Sequence, residues 1–426
     1  MLPFPKKLPL SLILLFTINL LSPLLLPIAA RAQSQGDVFI SPQSKISLIT
    51  CAPGSALFEA FGHSAIRVHD PVTGFDMAYN YGVFDFDQPN FYVNFAKGYL
   101  LYKLGTAEFN RFLYQYSYFD RTVKEQVLNL TYEQKSRVFN FLRINSLPEN
   151  QNYYYDYFFD NCATRPRDVL MEVLGDTLQF DYSYADTLDY SIRDLIDIYI
   201  EDKDQHAWGD LGIDLGLGAK IDRKATPFEY MYQPEYLFKA FASARLQNAD
   251  GSDRPLVALT NTLYEGRSST PNLETLLTPA TVFWVLFALV VLGTFYEYKV
   301  KKHKFYLFDL VFFLLLSLYG CLVIFLWFFT NHISAANNWN LLWGFPTHFI
   351  ALFFLLIDKF KVMLKYHFMV TALLAAFALC FWTVLPQELH YSIMPLLLII
   401  IIRSIVIIQF KLSGEGAFLR KAQGRV

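Results

Sequence analysis

Cysteine is scarce in these 426 residues: there are four, with no Cys-x-x-Cys pair, and the eight histidines form no cluster. That pattern argues against a structural zinc site, and nothing in it calls for a metal or cofactor. An excess of charge of one sign is also lacking. The 36 Lys and Arg are balanced by 38 Asp and Glu, leaving a net charge of −2 and a pI of about 6.5. A nucleic-acid partner is therefore not favoured. No internal repeat and no low-complexity tract is visible.

Apolar residues, in contrast, make up 54% of the chain, and mean hydropathy is +0.27, too apolar for a wholly soluble protein. The surplus is concentrated after about residue 277. Five apolar stretches occur there, at about 279–297, 306–330, 341–357, 368–386 and 391–410. Each is near the roughly 20 residues needed to cross a hydrocarbon core. Basic residues alternate between the intervening loops. Lys299, Lys301, Lys302 and Lys304 follow the first stretch; Lys359, Lys361 and Lys365 follow the third; Lys411, Arg420, Lys421 and Arg425 follow the last. The loops Asn331–Asn340 and Pro386–His390 contain neither Lys nor Arg. Cytoplasmic loops retain Lys and Arg, so the expected topology leaves the N-terminal domain outside and the C-terminus in the cytoplasm. Arg403, inside the last stretch but about two turns from its cytoplasmic end, reads as a snorkelling side chain.

The first residues read as a secretory signal. Lys6 and Lys7 precede an apolar run, and Ala30-Arg31-Ala32 is a small-x-small cleavage site. No cysteine lies near it, so the chain is not itself lipidated there. The expected organisation is a signal peptide over 1–32, an exported domain over 33–270 and a membrane domain of five transmembrane helices over 271–426.

In the exported domain, ISLITC (46–51) suggests a strand, and HSAIRVH (63–69) and DMAYNYGVF (76–84) a hairpin about an Asp70–Gly74 turn. Thr131 and Gln134 form a capping-box pattern for a helix from about 132 to 145. YYYDYFF (153–159) reads as a strand, and the residues after it as a helix stopped by Gly175. The fold class is α+β, a small antiparallel sheet packed on helices. The many Tyr and Phe residues fit core packing, or an apolar groove for acyl chains beside the membrane.

Chemistry points to Cys162. Pro166 is tolerated only in the first turn of a helix, so the helix begins near Cys162, where the dipole favours a thiolate. Asp160 and Asn161 are candidate caps for the free N–H groups. The same N–H groups suit an oxyanion. Arg165 and Arg167 add positive potential and are the candidates for holding substrate. His63, at the start of a strand, is the natural base. Two plainer readings stand beside this one: His63 as a packed or surface histidine, and Cys162 in a disulfide with Cys51.

FGHSAIRV, followed by YNYGVFDF and DNCATRPRD, resembles the Lnb-type lipoprotein N-acyltransferases. TCAPG before the histidine, WGDLGIDLGLG after the cysteine and NNWNLLWGFP in an outer loop extend the resemblance. It implies an acyltransferase with Cys162 as nucleophile and His63 as base, in a periplasmic domain on a multi-span protein of the bacterial inner membrane. The implied partners are a phospholipid acyl donor and a diacylated lipoprotein acceptor. A third residue would orient the imidazole; Asn80 and Tyr79 are the candidates, with His69 a further option. More distantly, a strand histidine ahead of an Asn-Cys helix start is similar to permuted papain-like folds, including NlpC/P60-like hydrolases and lecithin–retinol acyltransferases. A membrane-anchored cysteine amidase or lipase is therefore the main alternative, and a non-enzymatic tethered binding module a third.

Overall fold

Ile46 to Cys51, apolar but for Ser47 and Thr50, forms a strand whose residues are buried on both faces. A computed structural model describes residues 39–200, 206–267, 277–355 and 357–412. The candidate signal segment and the basic tail residues Arg420, Lys421 and Arg425 lie outside them. The main-sheet strands are β1 (Lys45–Cys51), β2 (His63–Asp70), β3 (Phe75–Val83), β4 (Leu101–Glu108), β5 (Val123–Leu128) and β6 (Asn152–Tyr154). β7 (Leu178–Gln179), β8 (Arg245–Gln247) and β9 (Asp253–Pro255) form a separate small sheet, and β10 (Val257–Tyr264) returns to the main one. The order there is β10-β5-β1-β2-β3-β4-β6, with every pair antiparallel. The small sheet expected from sequence is thus a seven-stranded one. Strands such as Val-Lys-Glu-Gln-Val-Leu in β5, between β10 and β1, are too polar to announce themselves.

Helices α1 (Phe91–Lys97) and α2 (Phe109–Tyr118) flank β4, and α3 (Tyr132–Asn145) starts at the expected capping box of Thr131 and Gln134. The aromatic run 153–159 is corrected: strand pairing ends at Tyr154. The Asp156 carboxylate then accepts the N–H groups of Phe158 and Phe159 and turns the chain. Helix α4 (Thr164–Leu174) follows and ends at Gly175, as expected.

Helices α5 (Ile192–Ile200), α6 (Ala207–Gly216), α7 (Pro227–Tyr230) and α8 (Pro234–Ser243) complete the aqueous domain. The WGDLGIDLGLG segment forms α6 and the turn after it, and it is a docking element. Its carbonyls accept bonds from Asn338 (to Leu215, 3.0 Å), Gln387 (to Leu217, 2.9 Å), Asn340 (to Asp214, 3.3 Å) and the Tyr319 hydroxyl (to Leu215, 3.0 Å). Inside, the buried Arg193 guanidinium joins Asp214 and Asp222, and His390 meets Asp210 at 3.2 Å. Burial nevertheless pushes the Asp214 carboxyl up to about 6. Thus the two loops without Lys or Arg are the ones that hold the aqueous domain.

Among the described residues, four helices are long and apolar enough to cross a membrane: α9 (Pro279–Val300), α10 (Tyr306–Phe328), a later helix Lys361–Cys380, and Tyr391–Leu412. The third expected span, about 341–357, is only partly helical among the described residues. Its helical part is only α11 (His348–Phe354), followed by α12 (Lys361–Cys380) and α13 (Met394–Ile407). Before α11 the backbone runs irregularly along α10. Ser317 donates to the Pro346 carbonyl (2.6 Å) and accepts from the Phe349 N–H (3.0 Å). Such backbone persists at membrane depth only when it is buried in protein. Glycine permits the approach: a Cβ on Gly320 would lie 2.1 Å from the Gly344 carbonyl oxygen.

Arg403 does not snorkel. It is 1% exposed and bonds Asp309 through two nitrogens (2.6 and 2.8 Å), Glu297 (2.6 Å) and Thr294 (2.9 Å). The cluster staples α13 to α9 and α10. Breaking a buried pair by removing one partner costs about 3–5 kcal/mol. Arg403→Met should therefore lower the thermal midpoint of the detergent-solubilised protein sharply. Adding Asp309→Asn and Glu297→Gln should restore most of it. An unchanged midpoint in the single variant would remove the staple from the stability account.

Candidate active site

The register of the β2–β3 hairpin brings two of the candidate residues together. Pairing runs from Asp70–Phe75 to Ile66–Tyr79, so His63 and Asn80 sit at the same open end. The His63 Nε2–H donates to Asn80 Oδ1 at 2.5 Å. The other ring nitrogen, Nδ1, is left for the Cys162 thiol, which lies within hydrogen-bonding reach of the imidazole. Tyr79 alternates to the other face and is buried there. His69 is six residues up the strand, about 20 Å away, against Asp76 and Lys45. Of the three options for orienting the imidazole, geometry favours Asn80.

The Asn161 side chain fixes the start of α4, immediately beyond Cys162. Its Oδ1 accepts from Ala163 N (2.8 Å) and Thr164 N (2.9 Å), and its Nδ2 donates to the carbonyls of Tyr157 (2.8 Å) and Tyr232 (2.9 Å). Both ends of the amide are engaged, so Asn161 positions the nucleophile candidate and does not itself reach the reacting atoms. Asp160 is not the cap expected of it; it pairs with Arg165.

Neither arginine points at the thiol. Arg165 also stacks over the Tyr153 ring (4.1 Å). Arg167 is buried, bonds Asp168 (2.7 Å) and covers the Phe228 ring (4.0 Å). Both guanidinium groups take part in the local framework.

Electrostatics favour an ion pair. Burial raises the Cys162 pKa, but the His63 charge, the His63 hydrogen bond and the N–H groups of Ser64 and Cys162 more than offset it, and the thiol is lowered. For His63, burial acts downward, while Cys162 and the Asn80 bond act upward, and the imidazole is raised. Cys51 is the opposite case. It sits across from His63 in the β1–β2 register, and burial pushes its thiol far up. Both cysteines are free thiols, so the disulfide alternative is not realised. Among the described residues, no three His, Cys, Asp or Glu side chains converge where a metal could sit.

Three neighbours were not singled out from the sequence. Tyr116 stacks on His63, with centroids 6.2 Å apart. Arg121 lies over Tyr116 and ties Ala52 to Glu59. Gly82, at φ +91, sits in a bulge between β3 and β4, and a Cβ there would lie 3.6 Å from the Cys162 Cβ and 3.5 Å from the Tyr155 ring. An isolated glycine inside a strand was the legible signal for the last.

These features define a membrane-anchored protein whose aqueous domain carries a cysteine–histidine–asparagine constellation. Residues 38–195, which contain all of that constellation, match the family model of the Lnb N-terminal periplasmic domain, and residues 271–414 match that of the Lnb transmembrane domain. The chain belongs to the Lnb-type family: a membrane protein with a periplasmic N-terminal domain. Comparison with characterised proteins and with solved structures gave no match. The likeness to permuted papain-like folds thus rests on the order of histidine strand and cysteine helix alone.

The Asn80 bond favours the imidazolium, so its removal lowers the His63 pKa and weakens the support for the thiolate. Iodoacetamide labelling of Cys162 should have a midpoint below the ordinary thiol pKa of about 9. In Asn80→Ala the midpoint should rise toward that value, and in His63→Ala it should rise further. A midpoint indifferent to both substitutions would refute the ion pair.

Proposed function

We propose that this protein is a lipoprotein N-acyltransferase, which moves an acyl chain from a phospholipid to the N-terminal amine of a diacylglyceryl-cysteine lipoprotein. The observation that carries the reading is the lowered Cys162 thiol at a helix start, beside an Asn80-oriented His63, in a domain docked on membrane helices. Membership of the Lnb-type family supports lipoprotein processing as the setting.

In the first half-reaction, Cys162 thiolate attacks an ester carbonyl of the phospholipid. The carbonyl oxygen becomes an oxyanion beside the backbone N–H groups of Cys162 and Ser64, which face the thiol. The C–O bond breaks, the imidazolium of His63 gives its proton to the departing alkoxide, and lysophospholipid leaves. Acyl-Cys162 remains as a thioester. In the second, the neutral α-amine of the lipoprotein attacks the thioester carbonyl. His63 takes the proton released from nitrogen, the C–S bond breaks, and an amide and the free thiolate result. A thioester acylates amines without an added energy source. The alternative, a cysteine lipase or amidase, uses the same first step with water as acceptor.

Purified protein given phospholipid alone should gain the mass of an acyl group on Cys162, removable by neutral hydroxylamine. A diacylated lipopeptide with a free amine should discharge it and become N-acylated. Failure of Cys162 to load, or discharge only to water with lipopeptide present, would defeat the transferase reading; the second result would favour the hydrolase. Cys162→Ala should abolish loading. His63→Ala should slow it by about 10²–10⁴-fold, and Cys51→Ala should retain most of it.

The periplasmic face is assigned to the loops that dock the aqueous domain, with Lys299–Lys304 and the C-terminus in the cytoplasm. A reporter active only in the cytoplasm should work when fused near Lys302 and fail near Asn338. Activity at Asn338 would reverse the assignment.

A further inference from the structure

Between β3 and β4 the chain makes an excursion, residues 84–100, that the constellation does not use. The excursion contains the short helix α1 and exposes apolar side chains: Phe86 (58% exposed), Tyr92 (75%), Val93 (52%), Phe95 (48%) and Tyr99 (45%). A contiguous apolar patch on an aqueous domain marks an interaction surface. Its position says with what. The end of α1 is pinned to the loop that follows α10: Asn331 N–H donates to the Lys97 carbonyl (2.9 Å), and His332 Nε2–H donates to the Phe95 carbonyl (2.9 Å). Gly98, at φ +77, lets the backbones meet, since a Cβ there would lie 2.9 Å from Asn331 and His332. Helix α10 ends only three residues before Asn331, and its 23 residues span about 34 Å. A hydrocarbon core is about 30 Å thick. The pin therefore holds α1 at the boundary of the bilayer, continuous with the exposed Phe328 and Phe329 at the end of α10.

From α1 an aromatic row leads inward. Phe91 lies 6.3 Å from Phe84, Phe84 lies 5.1 Å from Tyr102, and Tyr102 stacks on Tyr155 at 4.5 Å. Tyr155 and Cys162 meet over Gly82. A row of ring faces between lipid and thiol is apolar along its length, as an extended alkyl chain requires.

We propose that residues 84–100 form an interfacial element that inserts into the periplasm-facing leaflet, with the row Phe91, Phe84, Tyr102 and Tyr155 leading a phospholipid acyl chain from that leaflet to Cys162. The membrane contact stands on the pin and the exposed face alone. The acyl route rests on the acyl-transfer reading above.

Two measurements on the full chain in phosphatidylethanolamine–phosphatidylglycerol vesicles separate the claims. A photo-crosslinking benzoylphenylalanine at position 92 should form lipid adducts. The same probe at Val72, exposed in the hairpin turn at the far end of β2 and β3, should not. No adduct at 92, or equal adducts at both positions, overturns the insertion whatever the chemistry of Cys162. The variant Tyr92→Asp/Val93→Asp should slow Cys162 loading from vesicle phospholipid by about tenfold or more. Loading from monomeric dihexanoyl phosphatidylcholine should stay within about twofold of the unsubstituted protein. Equal loss on both donors would make the segment merely structural and overturn the route. If the unsubstituted protein loads from neither donor, the acyl-transfer reading and the route fall together, and the cross-link still decides the insertion.

Discussion

One side-chain amide fixes the geometry on which the site depends. Asn161 closes the first turn of α4 with its oxygen and anchors that turn to the Tyr157 and Tyr232 carbonyls with its nitrogen. An unanchored helix start would leave Cys162 free to drift, and a thiol perturbed by a neighbouring imidazole requires a fixed separation. Aspartate at this position could accept the two N–H groups but could not donate to the two carbonyls. The need for both functions explains why the amide, and not the more acidic cap, precedes the cysteine.

What the sequence disclosed and what it concealed divide along physical lines. Local signals were legible: the capping box at Thr131, the Gly175 stop, the Asp70–Gly74 turn and the start of α4 are each set by residues within one turn of the event. The meeting of His63 with Asn80 depends on hairpin register, which no local signal reports. The arginines misled for a related reason. Positive charge near a nucleophile in sequence carries no direction, and here Asp160, Asp168 and two aromatic rings claim both guanidinium groups. The irregular backbone of the third apolar stretch was not legible because hydropathy counts side chains, whereas the chain there is shaped by its packing on Gly320 and Ser317.

The two halves of the chain are joined through polar contacts of backbone carbonyls. Asn338, Asn340, Gln387 and Tyr319 all give their donors to the glycine-rich end of α6 and the turn beyond it, where the last carbonyls of a helix lack intrahelical partners. Directional bonds of this kind set an orientation that a greasy contact would leave loose. They give WGDLGIDLGLG, a motif with acidic residues and no nucleophile, a structural part of its own: it fixes the aqueous domain on the C-terminal half.

The buried Arg403 cluster also bears on how the chain is made. Glu297 and Asp309 are synthesised well before their cation, Asp309 preceding Arg403 by 94 residues. While α9 and α10 are without α13, Asp309 has His303 (2.6 Å) and Glu297 has the Lys304 and Phe305 N–H groups (2.6 and 2.8 Å), but neither carboxylate has a guanidinium. Only the arrival of α13 completes the set. The membrane domain is thus locked by its last helix, and a nascent chain that stops short of it holds two acidic side chains whose guanidinium partner has not yet been made.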